Sequence, residues 1–281
     1  MPYGAEISRM NPSCFLFLVD QSGSMADPWT GAGTAEDPRL AAEVATILNG
    51  LLRNLVLKCS KDDGVRAYFD VGVLGYGAEV GPALGGALAA QPLLSIADLA
   101  DAPLRIEDRR RTVPDGLGGT LEQAIRFPVW CEPVAKGGTP MRAALAQARQ
   151  ILEPWVQSHP RSHPPVVFHI TDGESTDGDP RPGAEELRRL ETEDGPLLLF
   201  TVHLSARAQG EIAFPADPAA LADPYARLLC EISSDLPDEM RQRVALEGYP
   251  APPGARGFIF NAGPAALVSF LDVGTRPANL R

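Results

Sequence analysis

Three short stretches carry oxygen ligands in a pattern that could do chemistry: "DQSGSM" with Asp20, Ser22 and Ser24, "GGTPM" with Thr139, and "ITDGES" with Asp172. The donors are two carboxylates and three hydroxyls, with no His or Cys among them. Hard oxygen donors select Mg2+, Mn2+ or Ca2+ over zinc or copper. Alternate spacing lets Asp20, Ser22 and Ser24 face one point across a turn, and Gly23 frees the backbone to make it.

Such distant pieces can meet only if regular elements bring them together. "CFLFLV" (Cys14–Val19) is apolar on both faces, as a central strand of a covered parallel sheet must be, and it ends at Asp20. Asp37 and Pro38 read as the cap and first turn of a helix whose apolar face runs Leu40, Val44, Ile47, Leu48, Leu51, Leu52 and Leu55. Ala67–Gly77 reads as a second strand. Pro140 opens a helix with Met141, Ala144, Leu145, Ala148, Leu152 and Trp155 on one side, and Thr139 stands before it, where it could serve as the N-cap. "PVVFHIT" (Pro165–Thr171) is another apolar strand, ending at Asp172. A charged helix over about Ala184–Glu193, the strand "LLLFTVHL", short helices near Ala219–Ser233 and Asp238–Leu246, the strand "GFIFN" and a closing helix "AALVSFLDV" complete the pattern.

Strands alternating with helices predict an α/β fold: a doubly wound, mostly parallel central sheet with helices on both faces, Rossmann-like in layout. Residues 1–281 read as one domain. Residues 78–138 break the alternation and are expected to be a partly irregular insertion: a hairpin in "VGPALGGALAAQPLLS", a solvated loop in "IEDRRRTVPDGLGG", and a short helix near Leu121–Ile125. In such sheets ligands bind outside the carboxyl ends of the strands, where the winding direction reverses. Asp20 and Asp172 both lie at strand ends, and Thr139 at a helix start that can reach the same place.

With "DQSGSM", "GGTPM" and "TDGES" in this order on these elements, the chain resembles a von Willebrand factor A (vWA) domain with its metal-ion-dependent adhesion site. The resemblance runs across most of the chain, and all five motif residues are present. It implies that Ser22 and Ser24 bind a metal directly, that Thr139 binds directly when a ligand is engaged, and that Asp20 and Asp172 act mostly through coordinated water. Mg2+ is the implied ion, with Mn2+ or Ca2+ as alternatives. A partner protein would supply a Glu or Asp carboxylate to the last coordination position. The segments "MNPSCFLFLVDQSGSM" and "FPVW…GGTPM" are similar to intracellular bacterial TerY-like vWA proteins associated with tellurite resistance. That narrower likeness implies a scaffold in stress signalling, with a Ser/Thr kinase or a PP2C-like phosphatase as partner.

Bulk composition agrees with a binding module. The 281 residues carry a net charge of −11, with a pI near 4.9, which argues against nucleic acid and against an anionic membrane surface. No basic-then-apolar leader opens the chain, and no uncharged apolar run reaches span length. Cys14, Cys59, Cys131 and Cys230 are scattered, as free thiols in a reducing compartment would be. Cytoplasm is therefore the expected location. Three lysines against 22 arginines fit a GC-rich, bacterial coding sequence.

The rival reading is an enzyme: a haloacid-dehalogenase-like phosphatase with Asp20 as nucleophile. Its usual second Asp, two positions on, is Ser22 here, which removes the general acid/base. The expectation is therefore no enzyme. Other polar residues read structurally. His169 and His203 lie in strands, and His159 and His163 in a loop, without metal spacing. Glu174, Asp177 and Asp179 read as a solvated acidic loop. Trp29 and Trp130 are candidates for exposed anchors at the top of the sheet, and Trp155 for the core.

Overall fold

A computed structural model describes residues 3–29, 38–114, 119–204 and 210–275. Its main strands are β1 (Ser13–Asp20), β2 (Phe69–Tyr76), β3 (Val80–Pro82), β4 (Leu94–Ser95), β5 (Arg105–Pro114), β6 (Thr120–Val129), β7 (Val166–Thr171), β8 (Leu198–Leu204), β9 (Ile212–Ala213) and β10 (Phe258–Ala262). The helices are α1 (Leu40–Cys59), α2 (Ile96–Asp101), α3 (Met141–Ser158), α4 (Arg181–Arg188), α5 (Pro224–Ile232), α6 (Asp238–Leu246) and α7 (Pro264–Thr275).

β1 lies at the centre of the sheet, which runs β9-β10-β8-β7-β1-β2-β3. The pairs from β10 across to β2 are parallel; β9 and β3 close the edges antiparallel. Alternation sorts the side chains of β1 into two layers. Phe15, Phe17 and Val19 pack with α1 and α7, while Cys14, Leu16 and Leu18 pack with α3. Helices therefore cover both faces, and the doubly wound α/β class expected from the sequence is the one observed. Each fully buried Leu or Phe in these layers contributes roughly 1.5–3 kcal/mol. After β1 the chain winds outward through β2, then returns to β7 on the other side of β1. The reversal falls between β1 and β7, at the ends that carry Asp20 and Asp172.

Several boundaries differ from expectation. α1 starts at Leu40, with Arg39 at the N-cap and no side-chain cap bond; Asp37 lies outside the described residues. α1 is also long and apolar enough, at mean hydropathy 1.4, to span a membrane by length and composition, which corrects the reading that no segment is; half of that stretch is buried in the fold. α4 ends at Arg188, and Glu191–Thr192 pairs with Gly195–Pro196 in a small ribbon.

The largest correction lies within residues 78–138. β3 and β4 do not form a hairpin with each other; they share the free edge of β2 end to end. The described parts of the stretches expected as a solvated loop and a short helix instead form one long antiparallel ribbon, β5 with β6, from Arg105↔Val129 to Pro114↔Thr120, while residues 115–118 of the expected loop lie outside the described residues. Charge hid the strand. Arg109 lies 3.8 Å over the Phe127 ring, Arg110 pairs with Glu122 at 2.9 Å, and Arg105 pairs with Glu107 at 2.6 Å. Exposed ribbons are held by such cross-strand and same-strand pairs, so no apolar alternation is needed along most of their length.

The root of the ribbon is pinned by a buried residue, Asn49 on α1. Its Oδ1 accepts from Trp130 N (2.8 Å) and Cys131 N (3.1 Å), and its Nδ2 donates to Cys131 O (2.9 Å) and Ala45 O (2.8 Å). Asn49→Ala leaves Trp130 N, Cys131 N and Cys131 O without this partner in a dry environment, each costing about 1–3 kcal/mol. We expect urea unfolding of that variant to show a loss of about 3–5 kcal/mol. A loss below about 0.5 kcal/mol would show that the ribbon does not depend on this anchor.

Candidate metal centre

The end of β1 and the end of β7 lie side by side, because Val19 pairs with Ile170. Asp20 is fully buried there. Its Oδ1 accepts from the Ser22 backbone N–H at 2.8 Å, which folds "DQS" into a tight turn. Its Oδ2 accepts from the Thr171 hydroxyl at 2.7 Å. The turn carries Ser22 and Ser24 to the same side, with their hydroxyls 3.0 Å apart. Ser24 Oγ then donates to Asp172 Oδ1 at 2.9 Å, across 148 positions of sequence. Four of the five expected residues are thus linked by one continuous chain of hydrogen bonds.

Thr139 joins through the backbone. Gln21 N bonds Tyr76 O (2.7 Å), Lys136 N bonds Gln21 O (2.6 Å), Ala78 N bonds Lys136 O (2.8 Å) and Gly23 N bonds Gly137 O (3.0 Å). These bonds knit the loops after β1 and β2 to the segment before α3. Two glycines permit the approach: a Cβ on Gly77 would lie 2.6 Å from two carbonyl oxygens, and one on Gly137 (φ +91°) would lie 2.4 Å from Ala78 N. Thr139 is nearly buried. Its hydroxyl faces the cluster: an added Cβ on Gly173 would sit 3.7 Å from Thr139 Oγ1 and 3.8 Å from Ser24 Oγ. Thr139 does not cap the helix. α3 begins at Met141, and the N-cap position falls to Pro140, without a side-chain cap bond.

That capping task goes to Asp177, read from sequence as part of a solvated loop. Its Oδ1 accepts from Arg142 N (3.0 Å) and its Oδ2 from Ala143 N (2.9 Å), at the dipole-positive end of α3. These amide bonds hold the Asp177 carboxyl below its usual range despite partial burial. Thr176 Oγ1 accepts from Thr139 N at 2.9 Å, so the loop after β7 and the start of α3 are clasped twice. Asp179 bonds Arg181 N at 3.0 Å and opens α4.

The sequence reading missed three supporting residues. Thr171 orients Asp20. Tyr225, in the first turn of α5, donates its hydroxyl to Gly173 O. Tyr76 shares a 2.6 Å hydrogen bond with His169 Nε2 beneath the site. Thr171 in "ITD" was legible as a strand-end hydroxyl; nothing local marks Tyr225. His169, expected in the core or a second layer, is fully buried there. Trp29 and Trp130 are not exposed anchors: both are buried, with Nε1 donating to Ala262 O (3.2 Å) and Leu99 O (2.7 Å). Trp155 is core-packed as expected, bonding Asp70 Oδ2 at 2.8 Å. All four cysteines are free and buried, and burial pushes the Cys59, Cys131 and Cys230 thiols up to about 12.

Electrostatics at the cluster is uncompensated. Burial raises the Asp20 carboxyl, against the hydrogen bonds from Ser22 and Thr171. Burial, then the neighbouring charge of Asp20, pushes Asp172 up to about 6, and the Ser24 hydroxyl relieves only part of this. Among the described residues no three His, Cys, Asp or Glu side chains gather into a cluster. The donors that do converge are two acids and three hydroxyls, with Gly173 leaving space beside two of the hydroxyls. This set fits a hard divalent cation, which prefers oxygen donors and retains water.

No protein-family model matches this chain, and no curated protein matches it. Solved structures give loose likenesses. Proximal thread matrix protein 1 from the mussel byssus aligns at 14% identity over 71% of this chain and 39% of its own, with a TM-score of 0.39. The manganese-loaded TRAP protein of Plasmodium vivax aligns at 17% identity over 91% of this chain and 78% of its own, TM-score 0.40. The vWF domain of the type V pili tip protein Mfa5 from Porphyromonas gingivalis aligns at 14% identity over 59% of this chain and 39% of its own, TM-score 0.30. At these values the functional assignment has to come from the site itself.

Proposed function

We propose that this chain is a protein-binding module of the von Willebrand factor A type, dependent on a divalent cation. Ser22, Ser24 and Thr139 would hold the ion directly, and Asp20 and Asp172 would hold its water shell. The observation that supports this reading is the hydrogen-bonded chain Asp20–Ser22–Ser24–Asp172, assembled from two strand ends at the point where the sheet reverses its winding. Neutral hydroxyls leave a bound cation's charge poorly quenched, so it retains attraction for an outside carboxylate. Mg2+ is the proposed ion, with Mn2+ or Ca2+ able to replace it. The partner is a protein that offers an exposed Glu or Asp. The narrower part of the reading is a cytoplasmic scaffold in bacterial stress signalling, of the kind associated with tellurite resistance, alongside a Ser/Thr kinase or PP2C-like phosphatase.

Calorimetric titration with Mg2+ and Mn2+ tests the core of the proposal. Wild type should bind one ion, and Thr139→Val should bind it at least tenfold more weakly, because a direct ligand is replaced by an isosteric methyl. Equal affinity in both proteins contradicts the assignment. Affinity capture with and without EDTA should then return a partner only in the presence of metal. The module acts by binding, so phosphoester turnover is not expected; turnover lost in Asp20→Asn would favour the phosphatase instead.

A further inference from the structure

Among the groups around the centre, Tyr225 has no place in the five-residue set, yet it touches the loop that carries Asp172. It stands in the first turn of α5, which is fixed independently: Asp223 Oδ1 accepts from Tyr225 N (2.7 Å) and Ala226 N (2.9 Å), and Pro224 occupies the first helical position. Its half-buried ring lies edge-on to His203, with centroids 6.4 Å apart. From this rigid base the hydroxyl donates to Gly173 O. Thr171 Oγ1 reaches both peptides that flank Gly173: it accepts from Gly173 N, in the 172–173 peptide, at 3.3 Å and lies 3.2 Å from Gly173 O, in the 173–174 peptide that Tyr225 holds.

Gly173 lines the space between Asp172 and the facing hydroxyls, since an added Cβ there would meet both Thr139 Oγ1 and Ser24 Oγ at van der Waals distance. Rotation about the Gly173 torsions would release the turn that holds the Asp172 carboxylate on Ser24. A glycine offers little resistance to such rotation, so the resistance must come from outside the loop. The geometry points to Tyr225 as a positioning residue: its hydroxyl holds the Gly173–Glu174 peptide and, by fixing the Gly173 torsions, keeps the turn in the conformation that sets the Asp172 carboxylate on the oxygen cluster. α5 is thereby coupled to the centre, although it contributes no ligand. This inference rests on the metal-binding reading for its effect on affinity, but its structural half stands alone.

Tyr225→Phe removes only the hydroxyl and retains the ring packing. Two measurements are made on the full chain. In metal-free protein, amide hydrogen exchange at residues 173–176 should be about five- to tenfold faster in Tyr225→Phe than in wild type, with exchange in β1 and β7 unchanged. Calorimetric titration with Mn2+ should show affinity reduced about five- to tenfold. If wild type binds no Mn2+ while the exchange rates still diverge, the metal reading falls and the peptide lock stands. If exchange at 173–176 is unchanged in Tyr225→Phe, or if wild type and Tyr225→Phe bind Mn2+ equally, the positioning role is overturned. Faster exchange throughout the sheet would mark a global loss of stability and would also overturn it.

Discussion

Asp20→Asn is expected to abolish divalent-cation binding while leaving the metal-free protein as stable as wild type or more so. The two halves of this outcome have one cause. Asp20 is fully buried, and its charged form is disfavoured in the fold even after the Ser22 and Thr171 hydrogen bonds are counted. Without a cation, the carboxylate is a cost. Asparagine keeps the Oδ1 acceptor for Ser22 N, and Thr171 Oγ1 has a second acceptor in Gly173 O at 3.2 Å. These two donors therefore keep acceptors, and of the two N–H groups that asparagine adds one can donate to Thr171 Oγ1. With a cation, the same charge is the compensating partner, and its loss should lower affinity by about 100-fold or more, the upper range for groups that act through coordinated water or a neighbouring ligand. Thermal melts in EDTA and in Mg2+ check both signs. Wild type should gain stability with Mg2+ and Asp20→Asn should not, while in EDTA the variant should melt no lower than wild type. A variant that melts well below wild type in EDTA would show Asp20 to be a structural residue.

The second large effect is acid sensitivity through His169. Its ring is fully buried beside Tyr76, and burial depresses its pKa to about 3. In the unfolded chain the imidazole titrates near 6.5. Below pH 6.5 the unfolded state takes up a proton that the folded state refuses, so the stabilisation present above 6.5 is lost as pH falls towards about 3. The loss is about 1.4 kcal/mol per pH unit, or roughly 2–3 kcal/mol between pH 6.5 and 4.5. His203, depressed to about 4 by burial, adds to the same trend. Asp172 opposes it: with its folded pKa raised to about 6, the fold gains relative stability as that carboxyl protonates. The difference between wild type and His169→Leu isolates the histidine. Urea unfolding at pH 7.5, 6.5, 5.5 and 4.5 should give a steeper fall for wild type, whatever the absolute stability of the variant. Parallel curves would show that His169 is protonated in the folded state.

The supporting groups show what kind of information a site needs. Asp20 and Asp172, two of the five proposed ligands, were legible as neighbours because a strand that is apolar on both faces ends at the sheet's edge, where a polar residue faces a loop cluster. The layout of β1, β7 and β8 followed from the same rule. Asn49, Asp177 and Tyr225 left no such trace. Each acts on a partner far away in sequence, and each belongs to a residue type that is ordinary where it stands. The β5–β6 ribbon escaped for a related reason: its strands are exposed along most of their length, so no core imposes the alternation by which strands are recognised.

Local chemistry by itself determined the class of fold, the hard-oxygen character of the candidate donors and the strand ends that present them, because periodicity and donor type are properties of short segments. Only the tertiary structure decided that Ser24 reaches Asp172, that Asp177 rather than Thr139 caps α3, and that α5 braces the loop of the centre. Those outcomes depend on which loops cross above β1, and that crossing is set by the order in which the whole sheet is wound and by backbone bonds between segments that no short stretch of sequence contains.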